Sequence, residues 1–244
     1  MWREIIAVGG VIGVLSCRPP SSRAPQAGGQ LDVPGRRMVG TLNGDSVFVV
    51  ASDGAAKIEW TGLTREGRVA RWTSRDLAGA DPRVSIAYID GDSIPDLFWS
   101  IDHDEAVGGM VLFGTAAGAR QVVATDAHAC APPEMRDVNG DGKADFLAYG
   151  PGAFPPETCR GDASTAACVA SVPANWVTAW IQVDSTFRDD PTLAKDFYRQ
   201  MTDVYREAAK RVRDGQADTA ASCSPEVAKS LESLSRRAAS LSRG

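Results

Sequence analysis

The chain has 244 residues, 43% of them hydrophobic and 23% charged, with 26 Lys and Arg against 31 Asp and Glu. That composition supports a folded core and excludes intrinsic disorder, which needs low hydrophobicity and a strong net charge. A net charge of -5 also excludes general nucleic-acid binding, which needs a basic surplus to neutralise phosphates.

Residues 1–16 carry a short polar head with Arg3, then an apolar run over residues 5–15. As a helix this run spans about 16 Å, against a bilayer hydrocarbon core of roughly 30 Å. It has the length of a signal-peptide core and predicts an exported chain. The run stops at Val14-Leu15-Ser16-Cys17, which resembles a bacterial lipobox. That resemblance implies cleavage before Cys17, acylation of Cys17 and a lipid anchor in a membrane. Arg18 stands where an Asp would mark inner-membrane retention, so the same resemblance implies the outer membrane. Residues 17–37 are rich in Pro, Gly, Ser and Gln and predict a flexible tether.

Residues 38–187 predict a β domain. Short β-type runs at 47–50, 57–60, 84–88, 97–99 and 109–113 are broken by Gly, Asp and Asn. Many short strands with a turn signal every ten or so residues predict a sandwich, barrel or propeller. A repeat runs through the region: Asn43-Gly44-Asp45-Ser46, Asp90-Gly91-Asp92-Ser93 and Asn139-Gly140-Asp141-Gly142 recur at spacings of 47 and 49. After the second and third copies an acid follows, Asp96 and Asp145, and then a strand. The first copy has the turn but no acid four residues later.

The most specific motif is the third copy. Asp137, Asn139, Asp141 and Asp145, with the backbone carbonyl of Lys143, place oxygens at loop positions 1, 3, 5, 9 and 7. That set suits one hard cation, and Gly142 permits the sharp turn between the donors. With no imidazole or thiolate among them, Ca²⁺ is expected over zinc or copper, in a structural role. An EF-hand would need Glu at position 12, where Ala148 stands, and the flanks are strand-like. This motif, recurring near 50 residues and with Val111-Leu112-Phe113-Gly114 behind it, resembles the FG-GAP or VCBS repeat of integrin α-chain propellers and bacterial exported proteins. The resemblance implies a propeller-like or small open β domain with calcium ligands at Asp137, Asn139, Asp141, Lys143 and Asp145. In the second copy Tyr88 replaces the first acid and Ser93 the glycine, leaving Asp90, Asp92 and Asp96 as a weaker set.

Two patterns tempt a hydrolase reading. Gly91-Asp92-Ser93-Ile94 resembles the nucleophile block of SGNH esterases, but neither His103 nor His128 has the Asp three residues earlier that this family pairs with its base. Asp102-His103-Asp104-Glu105 follows a strand and reads as a solvated turn or an acid-base cluster. Beyond Cys17 the cysteines are Cys130, Cys159, Cys168 and Cys223, an even set that predicts disulfides in an exported chain. Three pairings are possible, with Cys159 to Cys168 the local one.

Over residues 176–184 strand alternation puts Trp176 and Trp180 on one face and Val177, Ala179, Ile181 and Val183 on the other. The tryptophans would pack on the C-terminal helices or, if exposed, stack on sugars. Residues 188–244 predict a helical hairpin. One helix starts near Asp189-Asp190-Pro191, with a stripe of Leu193, Phe197, Met201, Val204, Tyr205, Ala208 and Val212, and stops at Gly215. The other begins at Ser224-Pro225-Glu226, with Val227, Leu231, Leu234, Ala238 and Leu241. The expected product is a calcium-stabilised envelope lipoprotein, non-enzymatic, acting as a scaffold or a protein- or glycan-binding module without nucleic acid. The rivals are an envelope hydrolase using Ser93 or the His103 cluster, and an assembly subunit that binds through its terminal helices.

Overall fold

The computed structural model describes residues 35–52, 55–63, 69–78, 82–103, 106–125, 129–152, 173, 175–215, 223 and 225–243. The expected leader, Cys17 and nearly all of the tether lie outside these residues, as do Cys159, Cys168 and His128. Among the described residues no helix is long and apolar enough to cross a membrane. Cys130 and Cys223 are each held in a disulfide.

The chain is mainly β, as its sequence predicts. Three antiparallel meanders follow one another, and two helices come last. Sheet 1 is β1 (Arg36–Leu42), β2 (Asp45–Ser52), β3 (Ala55–Leu63) and β4 (Val69–Thr73), with the short β5 (Leu77–Ala78) paired to the start of β3. Sheet 2 is β6 (Arg83–Ala87), β7 (Asp96–His103), β8 (Ala106–Thr115) and β9 (Gly118–Ala124). Sheet 3 is β10 (Ala131–Arg136), β11 (Asp145–Gly150), β12 (Trp176–Val183) and β13 (Thr186–Arg188). None of the sheets closes on itself. β1 takes in Arg36 and Arg37, which composition alone had assigned to the tether.

The sheets stack in chain order. β1 lies beside β6 and β4 beside β9, while β10 lies beside β7 and β8 and β13 beside β9. Strand alternation sends successive side chains to opposite faces, so each inner sheet feeds two cores. Between sheets 1 and 2 are Val47, Ile58 and Trp60 against Leu97, Trp99, Ile101 and Leu112. Between sheets 2 and 3 are Val111, Phe113 and Val123 against Phe146 and Phe187. Behind sheet 3, Leu147, Val177, Ala179 and Ile181 meet the helices.

Helices α1 (Lys195–Arg213) and α2 (Pro225–Leu241) lay their apolar faces on that last surface. α2 matches its predicted stripe, with Val227, Leu231, Leu234 and Ala238 buried. α1 departs from its prediction in two ways. It starts at Lys195, because Asp190 is spent on an earlier turn: its Oδ1 accepts from the Thr192 amide and hydroxyl at 2.9 and 2.8 Å. The buried face is also rotated, with Tyr198, Thr202 and Ala209 inside while Leu193 and Val204 stay exposed. Trp176 explains the rotation, since its ring stacks on Tyr198 at 5.9 Å and on Tyr205 at 6.3 Å. Arg237 of α2 covers the same indole at 3.9 Å. Trp176 therefore joins the helix-side core, whereas Trp180 packs towards sheet 2, so the two do not share a face.

Leu231 is fully buried at the centre of this layer. Leu231→Ala should lower the unfolding free energy by about 3 kcal/mol in urea titration, and exposed Val204→Ala by no more than about 0.5 kcal/mol. Similar small losses for both would mean that the helices do not seal sheet 3.

Candidate functional site

Each sheet opens its second strand with a buried carboxylate: Asp45 on β2, Asp96 on β7 and Asp145 on β11. Two residues on, Val47, Phe98 and Leu147 each enter the core shared with the following layer. By alternation the three acids face the same way, forward along the stack.

All three are tied to the third strand of their own sheet. Asp45 Oδ2 accepts the Trp60 indole N–H at 2.7 Å. Asp96 Oδ1 accepts the Gly114 amide at 2.9 Å, and Asp145 Oδ1 the Gln182 amide at 2.9 Å. In sheets 2 and 3 the other oxygen holds the preceding loop. Asp96 Oδ2 accepts from Ile89 and Asp90 at 2.6 and 3.1 Å, and Asp145 Oδ2 from Val138 at 3.0 Å.

The loops themselves repeat bond for bond. Asp90 Oδ1 accepts the Asp92 amide and Asp92 Oδ1 the Ile94 amide, at 3.0 and 2.6 Å. Asn139 Oδ1 accepts the Asp141 amide and Asp141 Oδ1 the Lys143 amide, at 3.0 and 2.8 Å. Short polar side chains bonding the backbone two residues on are what makes Asp and Asn turn formers. The third loop alone has a fourth clamp, Asp137, whose two oxygens accept from Gly140 and Gly142 at 2.7 and 2.9 Å. Gly142 needs its φ of +84°, and Ser93 in the second loop does without a positive φ. Tyr88, in the place of Asp137, is exposed.

The five predicted ligand residues thus divide. Asp137, Asn139, Asp141 and Lys143 lie together on an exposed loop, while Asp145 is fully buried with both oxygens taken by backbone amides. Among the described residues no three His, Cys, Asp or Glu side chains gather as a metal cluster. Asp96 and Asp145 divide from Asp90 and Asp92 in the same manner. Ser93 sits on the exposed turn, Asp102 is exposed near the end of β7, and the His103 side chain and residues 104–105 lie outside the described residues.

Two residues of this system escaped the sequence reading. Asp45 holds the place of the missing acid, because the type I′-like Asn43-Gly44 turn (φ +48° and +88°) needs only two residues. The signal was present as an acid two residues before a core position, as in the other copies. Gly62 gives this carboxylate room, since a Cβ there would run into it. Gln182 is the other: its Nε2 donates to the Ile89 carbonyl at 3.0 Å, linking sheet 3 to the loop of sheet 2. No protein-family model, curated protein or solved structure matches the chain.

Burial pushes Asp96 up to about 6 from 3.8, although three backbone amides favour its charged form. Burial raises Asp145 as well. With the folded-state value above the unfolded one, the bound proton stabilises the fold. That contribution is complete below about pH 4 and is lost as pH rises through about 6. Asp96→Asn removes the titration and turns one acceptor into a donor facing an N–H. Urea titrations should show wild type ahead of Asp96→Asn at both about pH 5 and about pH 7.5, with the gap about 1 kcal/mol larger at the lower pH. A gap that is constant, or larger at the higher pH, would show that Asp96 is not proton-linked to folding.

Proposed function

We propose that the chain is an exported lipoprotein of the cell envelope, anchored through Cys17 and lifted from the membrane by its tether. On this reading the three meanders are FG-GAP/VCBS-like repeats forming an open, propeller-like array that serves as a non-enzymatic scaffold or binding module. The outer membrane is the favoured address. The partner is an envelope protein or glycan.

The observation that carries the reading is the threefold recurrence of the forward-facing acid, with the same bonds made in two successive loops. A repeat kept in hydrogen bonds as well as in letters points to a structural use of these carboxylates. Asp96, beside the suspected Ser93 nucleophile, is committed to three backbone amides. The helices spend their stripes on sheet 3, so a partner role for them draws support only from exposed Leu193 and Val204.

The third loop is the candidate for Ca²⁺. Its exposed donors are all oxygens, supplied by Asp137, Asn139, Asp141 and the Lys143 carbonyl, and glycines at positive φ bend the chain around them. Asp145 would anchor the loop from beneath. A bound ion would supply charge neutralisation and rigidity, not a reaction.

With a Kd of roughly 0.1 mM and about 1 mM calcium, the gain is about 1.4 kcal/mol. A thermal melt of the full chain should therefore rise by roughly 3–6 °C over its value in EDTA, and Asp141→Ala should abolish the rise. A melt unmoved by calcium, or moved equally in Asp141→Ala, would remove calcium from the loop.

A further inference from the structure

A groove of about 260 Å³ lies between sheets 2 and 3, alongside Ala148, Tyr149 and Gly150 of β11. Its walls include Thr125 just past β9, Ala148 and Gly150 of β11, Thr178 and Trp180 of β12, and Asp189 just past β13. Small side chains make the space, and a Cβ added to Gly150 would meet nothing within 4 Å. Trp180 is half-buried: it packs on the core of Phe113, Phe146 and Phe187 and also lines the groove.

Three polar groups here have no partner among the described residues. The Trp180 indole N–H, the Thr178 hydroxyl and the exposed Asp189 carboxylate make no hydrogen bond or ion pair with any described residue. Thr125 is different, because its hydroxyl already accepts the Gly109 amide at 3.0 Å and serves as wall.

We propose that this groove binds one ring of a neutral carbohydrate, an assignment that deepens the binding-module reading and rests on it. A pyranose offers an apolar C–H face for the indole. Its hydroxyls can donate to Asp189, accept from the indole N–H, and do either with Thr178. A purely apolar ligand would strip water from three polar groups and leave them unpaired. An anion would meet the Asp189 charge. An organic cation is best held by aromatic rings on several sides, and of the two aromatic residues along this groove Tyr149 packs on the helix-side core, which leaves Trp180.

The test uses the full chain, ¹⁵N-labelled, titrated with glucose, galactose, mannose and N-acetylglucosamine to about 50 mM, in the weak range expected for a single ring. Indole N–H resonances are followed by NMR, and Trp180→Phe assigns the one of interest. Saturable movement of that resonance with at least one sugar is expected, weakened about tenfold or more in Asp189→Asn. Asp189 is exposed, so that variant should melt like wild type. The assignment is overturned if no sugar moves the resonance, if Asp189→Asn binds equally well, or if tetramethylammonium moves it and the sugars do not. Repeating the titration in EDTA separates the two ideas, because no described wall of the groove belongs to the Asp137 loop. Failure with sugars beside a calcium-dependent melt would remove the carbohydrate and leave the scaffold.

Discussion

Sheets 2 and 3 are apolar on both faces, and neither can be exposed on either side without losing a core. β7 sends Leu97, Trp99 and Ile101 back towards sheet 1 and Phe98 forward, and β11 sends Phe146 back and Leu147 forward. Such sheets must be stacked, and a stack must be ended. The two ends are closed by different chemistry. On the outer face of sheet 1, Arg36 lies over the Phe48 ring at 3.7 Å and pairs with Glu59 at 3.1 Å, so a charged fringe meets water. The far side of sheet 3 is sealed by the two helices, α1 folding Tyr198 and Tyr205 over Trp176 and α2 adding Arg237. The helical hairpin is thus a terminal cap on the array, required by the apolar face it covers.

The buried acids follow from the same stacking. An ionised carboxylate removed from water must find donors, and the head of each second strand supplies them from the neighbouring strand and the incoming loop. The carboxylate thereby fixes the loop: with Ile89 and Asp90, or Val138, held against a strand, the residues between must double back within a few positions. Asx turns and positive-φ glycines are the means of doing so. The acids that the sequence offers as calcium ligands are, at Asp96 and Asp145, also the consequence of a buried hydrogen-bonding problem. Gln182 carries the solution across a sheet boundary. Its amide N–H holds Asp145 while its side chain holds the loop of sheet 2, so neighbouring loops share one residue.

The β character, the strands with strong β-type runs and the whole of α2 were legible because period-2 or heptad-like patterns survive there without interruption. β1, β4, β5, β9, β10 and β13 were not. β10 begins Ala131-Pro132-Pro133 and β13 has three residues, so neither carries an alternating apolar signature. The face of α1 was misread because a 3.6-residue stripe assumes one flat partner, whereas Trp176 rises from the sheet and draws Tyr198 inward. The third loop was visible through its spacing. Asp45 was hidden by a turn two residues long, and the groove was invisible because Thr178, Trp180 and Asp189 converge only once β12 and β13 pair.

The loop and the groove share β11 but no residue: the loop ends at Asp145, and the groove takes up Ala148 to Gly150. A cation at the Asp137 loop would be held by none of the groups that line the groove. Coupling between them would have to pass along a strand hydrogen-bonded on both edges and packed on both faces, which deforms little. On the proposed reading, stabilisation and recognition rest on different residues. Carboxylates at the heads of the second strands hold each repeat in shape, and the groove is lined by other residues. On that reading the ligand would change through Thr178, Asp189 or Gly150, none of which belongs to a buried core cluster, while the buried acids stay fixed.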